Sequence, residues 1–175
     1  MINKMESRVR VPPIKCQGIK TKLVRFIIDS INWSDNGRWI EPFVGSGVIV
    51  LNVTPRRALL TDLNIHVIRF YNDVANGQLS PYSIRNYLEK HGHILSQIGE
   101  PYYYEVRERF NLKPTSHDFL FLNRCCFNGV IRFNSRGHFN VPFGKKPDRF
   151  RQGYITKITS THRVKNIYLL SPARG

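Results

Sequence analysis

RWIEPFVGSGVIVLNV, residues 38–53, changes character twice along its length. Trp39 to Glu41 reads as a short buried strand ending on an acid. Pro42 to Gly47 carries two glycines that permit a tight turn, and Val48 to Val53 is a run of mostly β-branched residues. Such residues lose χ1 freedom in a helix, so a helix here has to be held by packing. ALLTDLN, residues 58–64, repeats the theme with a second strand closing on Asp62, then a helix from about Asn64 to Val74 with Asn64 as its cap. Strand, helix, strand, helix is the opening of a parallel α/β sheet. Upstream, Leu23, Phe26, Ile27 and Ile31 fall at helical spacing and predict a helix over 20–31, entered through Gly18.

Downstream the pattern turns helical. Ser80-Pro81 caps a helix reaching toward Leu95, and PYYYEVRERFN (101–111) and SHDFLFLNRCCF (116–127) read as two more around a Lys113-Pro114 break. FNGVIRFNSRGHFNVPFGKKP (127–147) reads as a β-hairpin, with strands over 130–133 and 138–141 flanking a turn at 134–137. After about Ile158 the pattern weakens. The chain therefore divides into an α/β part (9–78), an inserted helical subdomain bearing the hairpin (79–152) and a divergent or truncated tail (153–175).

The charge balance narrows the partner. Lys and Arg number 27 against 12 Asp and Glu, a formal charge of +15 and a pI near 10.2, which attracts polyanions, nucleic acid first. A generally solvated basic surface is the alternative, and an anionic membrane is less suited. Three cysteines, two of them adjacent, make no disulfide framework and fit a reducing cytoplasm. The N-terminus lacks an apolar signal-peptide core, and no stretch is long and apolar enough to span a bilayer.

Three stretches carry chemistry. In IEPFVGSGV, Glu41 ends a strand and Gly45 and Gly47 let backbone approach a ligand, while Asp62 ends the next strand, suited to accept both hydroxyls of a ribose. A dinucleotide site calls for a third glycine near Val50, and its absence favours a nucleoside with an amino-acid tail, S-adenosylmethionine, over a pyrophosphate. In VPPIKCQGIKTKL (11–23), Lys15, Lys20 and Lys22 surround Gly18, which fits either a basic helix entrance or contacts to a carboxylate or phosphate. In the hairpin, Arg132, Arg136, Lys145, Lys146, Arg149 and Arg151 lie beside Phe133, Phe139 and Phe143. Asn128, Asn134 and Asn140 there can read base edges or cap turns. Arg and Asn match guanine and adenine edges in a major groove; a hairpin burying its phenylalanines under solvated arginines is the plainer reading. His91 and His93 lack a third metal ligand, Cys125 and Cys126 read as buried structural thiols, and Tyr102 to Tyr104 read as packing.

Taken in order, VPPIKCQGIKTKL, EPFVGSG, LLTDLN, YYYEVRERFN and FLFLNRCCFNGVIRFNSRGHFNVPFGKKP resemble the Dam-class (D12) site-specific DNA adenine-N6 methyltransferases, and within them the EcoRV type most, over roughly residues 9–158. The resemblance implies an incomplete Rossmann-like S-adenosylmethionine-dependent methyltransferase sheet and double-stranded DNA as partner, with no metal. It implies a cofactor site of Cys16, Gly18, Lys20, Glu41, Pro42, Phe43, Gly45, Gly47 and Asp62. Cys16 stands where many members have tryptophan, and Ile19 where they have a second glycine. On the DNA side it implies Lys15 at the first base pair, and Asn128, Val130, Arg132, Asn134, Arg136, Asn140, Pro142, Lys145 and Lys146 along the reading surface. Targets in this group begin with GAT, as in GATATC or GATC. Members carry a catalytic D-P-P-Y motif, whereas the only Pro-Pro pair here is Pro12-Pro13, flanked by Val11 and Ile14. The expectation is thus a chain inactive alone, truncated, frame-shifted or split, and completed by a fragment bearing that motif.

Overall fold

The computed structural model describes residues 9–31, 36–159 and 167–169; the N-terminal residues 1–8 read above for a signal peptide, and most of the expected tail, lie outside these. The chain divides into two compact units, Met1–Pro12 with Gly18–Gln78 and Arg163–Gly175, and Pro13–Gln17 with Leu79–His162.

The first unit is built on three parallel strands in the order β1 (Trp39–Glu41), β2 (Ala58–Leu60), β3 (Ile167–Leu169). Each strand is three residues long, and the β1–β2 ladder is prolonged by backbone bonds beyond both ends: Trp39 N–H to Arg57 O, Thr61 N–H to Glu41 O and Val44 N–H to Thr61 O, each 2.9 Å. Pro42 cannot donate, and the chain leaves the sheet there. Helix α1 (Val24–Ser30) and helix α2 (Val48–Val53) meet through Val24, Ile28 and Val48, covered by Val9, Ile49 and Val53. That contact holds the branched residues of α2 helical against their weak propensity. Helix α3 (Ile65–Ala75) starts at Asn64, whose Oδ1 accepts from the N–H of His66 at 3.0 Å and of Val67 at 3.4 Å. It buries Val67, Ile68, Phe70, Tyr71 and Val74. The strand, turn, helix and cap expected over 38–75 are all present.

The second unit contains helices α4 (Pro81–Ile98), α5 (Glu100–Leu112), α6 (Ser116–Cys125) and α7 (Gln152–Thr159). Ser80 and Ser83 cap α4 reciprocally, each side chain accepting the other's N–H at 3.0 Å. Helix α6 is buried on all sides, so its polar residues need internal partners. Asp118 accepts from Arg109 at 2.6 and 3.3 Å, from the Thr115 hydroxyl at 3.1 Å and from the Tyr87 hydroxyl.

Three expectations need correcting. Segment 127–147 turns back on itself at Asn134, with Asn134 N–H donating to His138 O at 2.9 Å, but the two expected strands shrink to one antiparallel bridge, Phe133 with Phe139, and a second bridge, Cys126 with Phe143, lies outside them. Residues outside the segment take the bonds a ladder would use. Asn111 accepts the Phe139 N–H at 2.8 Å and donates to its carbonyl at 3.2 Å, and the Tyr103 hydroxyl donates to Val141 O at 2.7 Å. Within what was expected as a divergent or truncated tail (153–175), most of α7 forms and buries Ile155 and Ile158. Within the same stretch, Ile167–Leu169 joins the sheet as β3.

Two stability predictions follow from this packing. Gly18 and Gly47 both sit at φ +71°, but a Cβ at Gly18 meets open space while one at Gly47 lies 2.6 Å from the Tyr71 hydroxyl oxygen. Gly18→Ala should cost about 1 kcal/mol of left-handed strain, and Gly47→Ala about 2–4 kcal/mol, by urea unfolding. The ion pair should be asymmetric, because the Asp118 side chain is 4 % exposed and that of Arg109 40 %. Arg109→Met strands a buried carboxylate and should destabilise by about 3 kcal/mol, whereas Asp118→Asn returns the arginine to water and should cost roughly half as much.

Candidate cofactor turn and nucleic-acid interface

In the first unit, Glu41, the glycine turn and Asp62 meet at the C-terminal ends of β1 and β2. The Asp62 carboxylate closes the turn: Oδ2 accepts the Gly45 N–H at 2.8 Å and Oδ1 the Asn64 N–H at 2.9 Å. A carboxylate offers about four acceptor positions, so each oxygen keeps one for a ligand hydroxyl. Glu41 is half-buried, and its Oε1 accepts the Trp39 indole N–H at 2.7 Å. Burial raises its pKa above the usual carboxylate range, against the opposing pull of the Trp39 donor, a Val50 backbone hydrogen bond and the Lys20 charge.

Gly45 (φ +49°) and Gly47 (φ +71°) give the turn its left-handed geometry, and Gly47 admits Tyr71, whose hydroxyl donates to Ser46 O. Gly47 N–H is bonded to Val44 O at 2.8 Å, so with Gly45's it serves the turn itself. Pro42 is exposed, and its carbonyl accepts from the Thr61 hydroxyl at 2.6 Å. Phe43, two residues after Glu41, and Leu63, directly after Asp62, stand out into solvent, 77 % and 83 % exposed. Free acceptor positions on Asp62, with exposed apolar side chains and a second carboxylate close in sequence, are the chemistry a nucleoside carrying a cationic tail would need. Leu63 was not singled out in the sequence, although its place directly after the strand-ending acid is a readable signal. Gly18 and Lys20 are exposed at the entrance to α1, and Lys20 O accepts the Leu23 N–H at 2.9 Å. Cys16, a half-buried thiol, belongs to the second unit.

In that second unit, the backbone of Lys15 is gripped by Asn123: Lys15 N–H donates to Oδ1 at 2.7 Å, and Nδ2 donates to Lys15 O at 2.9 Å and Gly129 O at 3.3 Å. Asn123 is fully buried and escaped the sequence reading; a lone asparagine in the apolar run FLFLN is the trace it leaves. Gly129, at φ +67°, lies against the Lys15 side chain so closely that a Cβ would fall 2.4 Å from Lys15 Cδ. Burial lowers the Lys15 pKa, with the charges of Arg149 and Arg124 adding to it.

Asn128 is exposed in a left-handed conformation at φ 52°, between exposed Phe127 and buried Gly129, with Val130 half-buried after them. Arg132 is tied to Asn140 across the loop, Nε to Oδ1 at 2.8 Å and Nη2 to the carbonyl at 3.2 Å. Asn134 holds the turn, its Oδ1 accepting the N–H groups of Arg136 and His138 at 3.0 Å each. Exposed Pro142 accepts the Phe127 N–H at 2.9 Å through its carbonyl, and Arg136, Lys145 and Lys146 are exposed. Phe139 and Phe143 are buried, so these aromatics serve packing rather than stacking on bases.

The weaker candidates resolve into structural roles. Burial pushes the Cys126 thiol up to about 11 and Cys125 well above its usual value, which removes both as nucleophiles. Tyr102 and Tyr103 are buried. His91 stacks on Tyr87 and bonds the Tyr102 hydroxyl, and burial lowers its pKa to about 4. Among the described residues no group of three or more His, Cys, Asp or Glu could hold a metal ion, and no helix is long and apolar enough to cross a membrane.

Comparison with known proteins agrees with this chemistry. The chain is 38 % identical over 112 residues to a DNA adenine methylase of Haemophilus influenzae, covering 60 % of this chain and 37 % of that protein. It is likewise 38 % identical over 116 residues to a DNA adenine methylase of Vibrio cholerae, 62 % of this chain and 40 % of the relative. With the type II methyltransferase M.CviBI of Paramecium bursaria Chlorella virus NC1A it shares 32 % identity over 141 residues, 77 % of this chain and 50 % of that one. The chain thus spans half or less of the length of these relatives. Residues 17–167, which contain the glycine turn, Asp62, Asn123 and the whole 127–147 loop, match one family description, and the chain belongs to the D12 class of N6 adenine-specific DNA methyltransferases.

Proposed function

We propose that these residues form the methyl-donor turn and the DNA-reading part of a site-specific DNA adenine-N6 methyltransferase of restriction–modification type, using S-adenosylmethionine in a cytoplasmic setting. The observation that carries the reading is the closure of the glycine turn by Asp62 at the ends of parallel strands, within a chain of this family. S-adenosylmethionine supplies an activated methyl group when bound. Asp62 accepts the ribose hydroxyls on the lone pairs that Gly45 and Asn64 leave open, Phe43 and Leu63 flank the nucleoside, and the Glu41 carboxylate faces the cationic tail. Gly18, Lys20, Pro42 and Gly47 shape the surroundings.

On the DNA side, Lys15 contacts the first base pair of a site beginning with GAT, GATATC if the chain is EcoRV-like and GATC otherwise. Asn128 and Val130 enter the duplex from the rigid bend at Gly129. Arg132 reads a base edge with its guanidinium pre-oriented by Asn140, and Arg136, Pro142, Lys145 and Lys146 continue the surface; Asn134 acts by holding the turn.

Methylating an exocyclic amine requires a flipped base, acceptors for the N6 protons and an aromatic to stack on the base. Residues 1–175 contain no Asp-Pro-Pro-Tyr to supply them, so transfer requires a segment bearing that motif. The same observation favours a second reading, a non-catalytic DNA-binding subunit of a split methyltransferase.

The two halves of the proposal separate experimentally. Asp62→Ala should abolish S-adenosylmethionine binding by calorimetry and leave duplex binding intact, while Arg132→Ala should weaken duplex binding by about ten-fold and spare the cofactor. Labelled methyl transfer to GATATC or GATC duplexes by residues 1–175 alone would overturn the assignment of catalysis to a further segment; transfer restored by adding one would favour the split enzyme. A pH dependence is also expected. Because burial raises the Glu41 pKa, protonation removes its charge at a higher pH than for an ordinary carboxylate, so cofactor affinity should fall as pH is lowered and begin to fall at a higher pH than an exposed carboxylate would give. Glu41→Gln should flatten that fall in the same titration.

A further inference from the structure

A group of cations in the second unit is accounted for neither by the cofactor turn nor by the 127–147 loop. Arg149, in the 3-10 turn Pro147–Phe150, lies over the Tyr154 ring with its guanidinium carbon 4.5 Å from the centroid, and its Nη2 donates to the Tyr154 hydroxyl at 2.8 Å. Arg124 reaches the same ring from α6, at 5.7 Å, and its Nη1 donates to the same hydroxyl at 3.2 Å. Two guanidinium groups therefore converge on one phenol oxygen, which has only two lone pairs to give. The Arg149 Nε is buried without a hydrogen-bond acceptor.

Lys15 stands close enough for the charges of Arg149 and Arg124 to act on it, with its backbone fixed by Asn123 and its side chain pressed on Gly129. Arg85 pairs with Glu89 and Arg109 with Asp118, and neither Lys15 nor Arg149 shares in these pairs. Asp148, adjacent in sequence, is exposed and makes no ion pair with Arg149.

Like charges held together with a buried N–H left over are a site awaiting an anion with several acceptor oxygens. A guanidinium presents its donors as a planar fork that matches phosphate, and Tyr154 fixes the plane of this one from two sides, by its ring and by its hydroxyl. We propose that Arg149, oriented by Tyr154 and flanked by Lys15, binds a backbone phosphate of duplex DNA. This rests on the DNA-binding reading above, which places Lys15 and the bend at Gly129 against the duplex. The contact of Gly129 with Lys15 sets the cation group at the foot of that loop, where a phosphate bordering the recognised bases would lie. A phosphate there neutralises Arg149 and stabilises the Lys15 ammonium beside it, so backbone and base contacts reinforce each other.

The test measures the affinity of residues 1–175 for GATATC-containing and unrelated duplexes by fluorescence anisotropy across a salt series. Arg149→Met should weaken both duplexes by a similar factor, about ten-fold, and reduce the slope of log affinity against log salt by about one. Tyr154→Phe, which keeps the ring, should give a smaller loss of the same kind. Should Arg149→Met not fold, Arg149→Lys serves, since it keeps the charge and loses the fork. A second arm uses inorganic phosphate alone, which should raise the melting temperature of the wild type relative to sodium chloride at equal ionic strength, and do so less for the Arg149 variant. An unchanged salt slope and affinity in that variant, with wild-type DNA binding intact, overturns the proposal. A phosphate-dependent thermal shift lost in the variant without any DNA effect makes the site one for free phosphate, which also overturns it. If the wild type binds no duplex at all, the reading of the chain as DNA-binding fails, and the DNA assignment of this site falls with it, whatever the phosphate arm returns.

Discussion

The carboxamide of Asn123 is the contact on which the second unit's chemistry depends. Residues 13–17 belong to no helix or strand, yet Pro13 and Ile14 are buried and Lys15 and Cys16 half-buried, so their backbone groups need partners. Asn123 supplies both kinds at once, an acceptor for the Lys15 N–H and a donor to its carbonyl, as a neighbouring strand would. Arg124, the next residue, donates through Nε to the Pro13 carbonyl. Because Nδ2 also reaches Gly129 O, one side chain fixes the lysine and the bend from which Asn128 projects. The first unit uses the same device: Asn52 accepts the Arg10 N–H at 2.8 Å and donates to its carbonyl at 3.0 Å.

What could be read from the sequence was local. The Asn64 cap and the Ser80-Pro81 start declare themselves within a few residues, because the bonds that make them span two or three positions; the turn over 42–47 declares itself by its glycines, although Asp62, which closes it, lies 17 positions from Gly45. What could not be read was long-range. Asn123 and Lys15 are 108 positions apart, and nothing in the spacing of FLFLNRCC marks one polar residue as a clamp and another as a surface charge. The missing hairpin ladder has the same cause, since Asn111 lies 28 positions from Phe139 and Tyr103 38 from Val141. Strand β3 is too short for alternation to signal it, although the apolar run Ile167-Tyr168-Leu169 offered a hint.

The acids explain how the chain sustains its positive charge. Several of its few carboxylates are occupied in holding structure: Asp62 closes the glycine turn, Asp118 gathers Arg109, Tyr87 and Thr115, and Glu41 takes the Trp39 indole. None of these bonds is to a cation of the 127–147 loop, whose Arg132, Arg136, Lys145 and Lys146 are exposed. A polyanion is attracted by the sum of their field, while the fixed groups beneath decide where it docks.

The proposed cofactor role of Asp62 does not conflict with its structural one. Its inner lone pairs hold Gly45 and Asn64, which fixes the plane of the carboxylate before any ligand arrives, and the outer pairs then face a set direction. Preorganisation of this kind lowers the conformational entropy that the side chain itself would lose on binding a ligand. It also makes the acid irreplaceable by its amide. An asparagine at 62 would turn an NH2 toward the N–H of either Gly45 or Asn64, donor against donor, so the turn would open on one side as the outer acceptors fell from two oxygens to one.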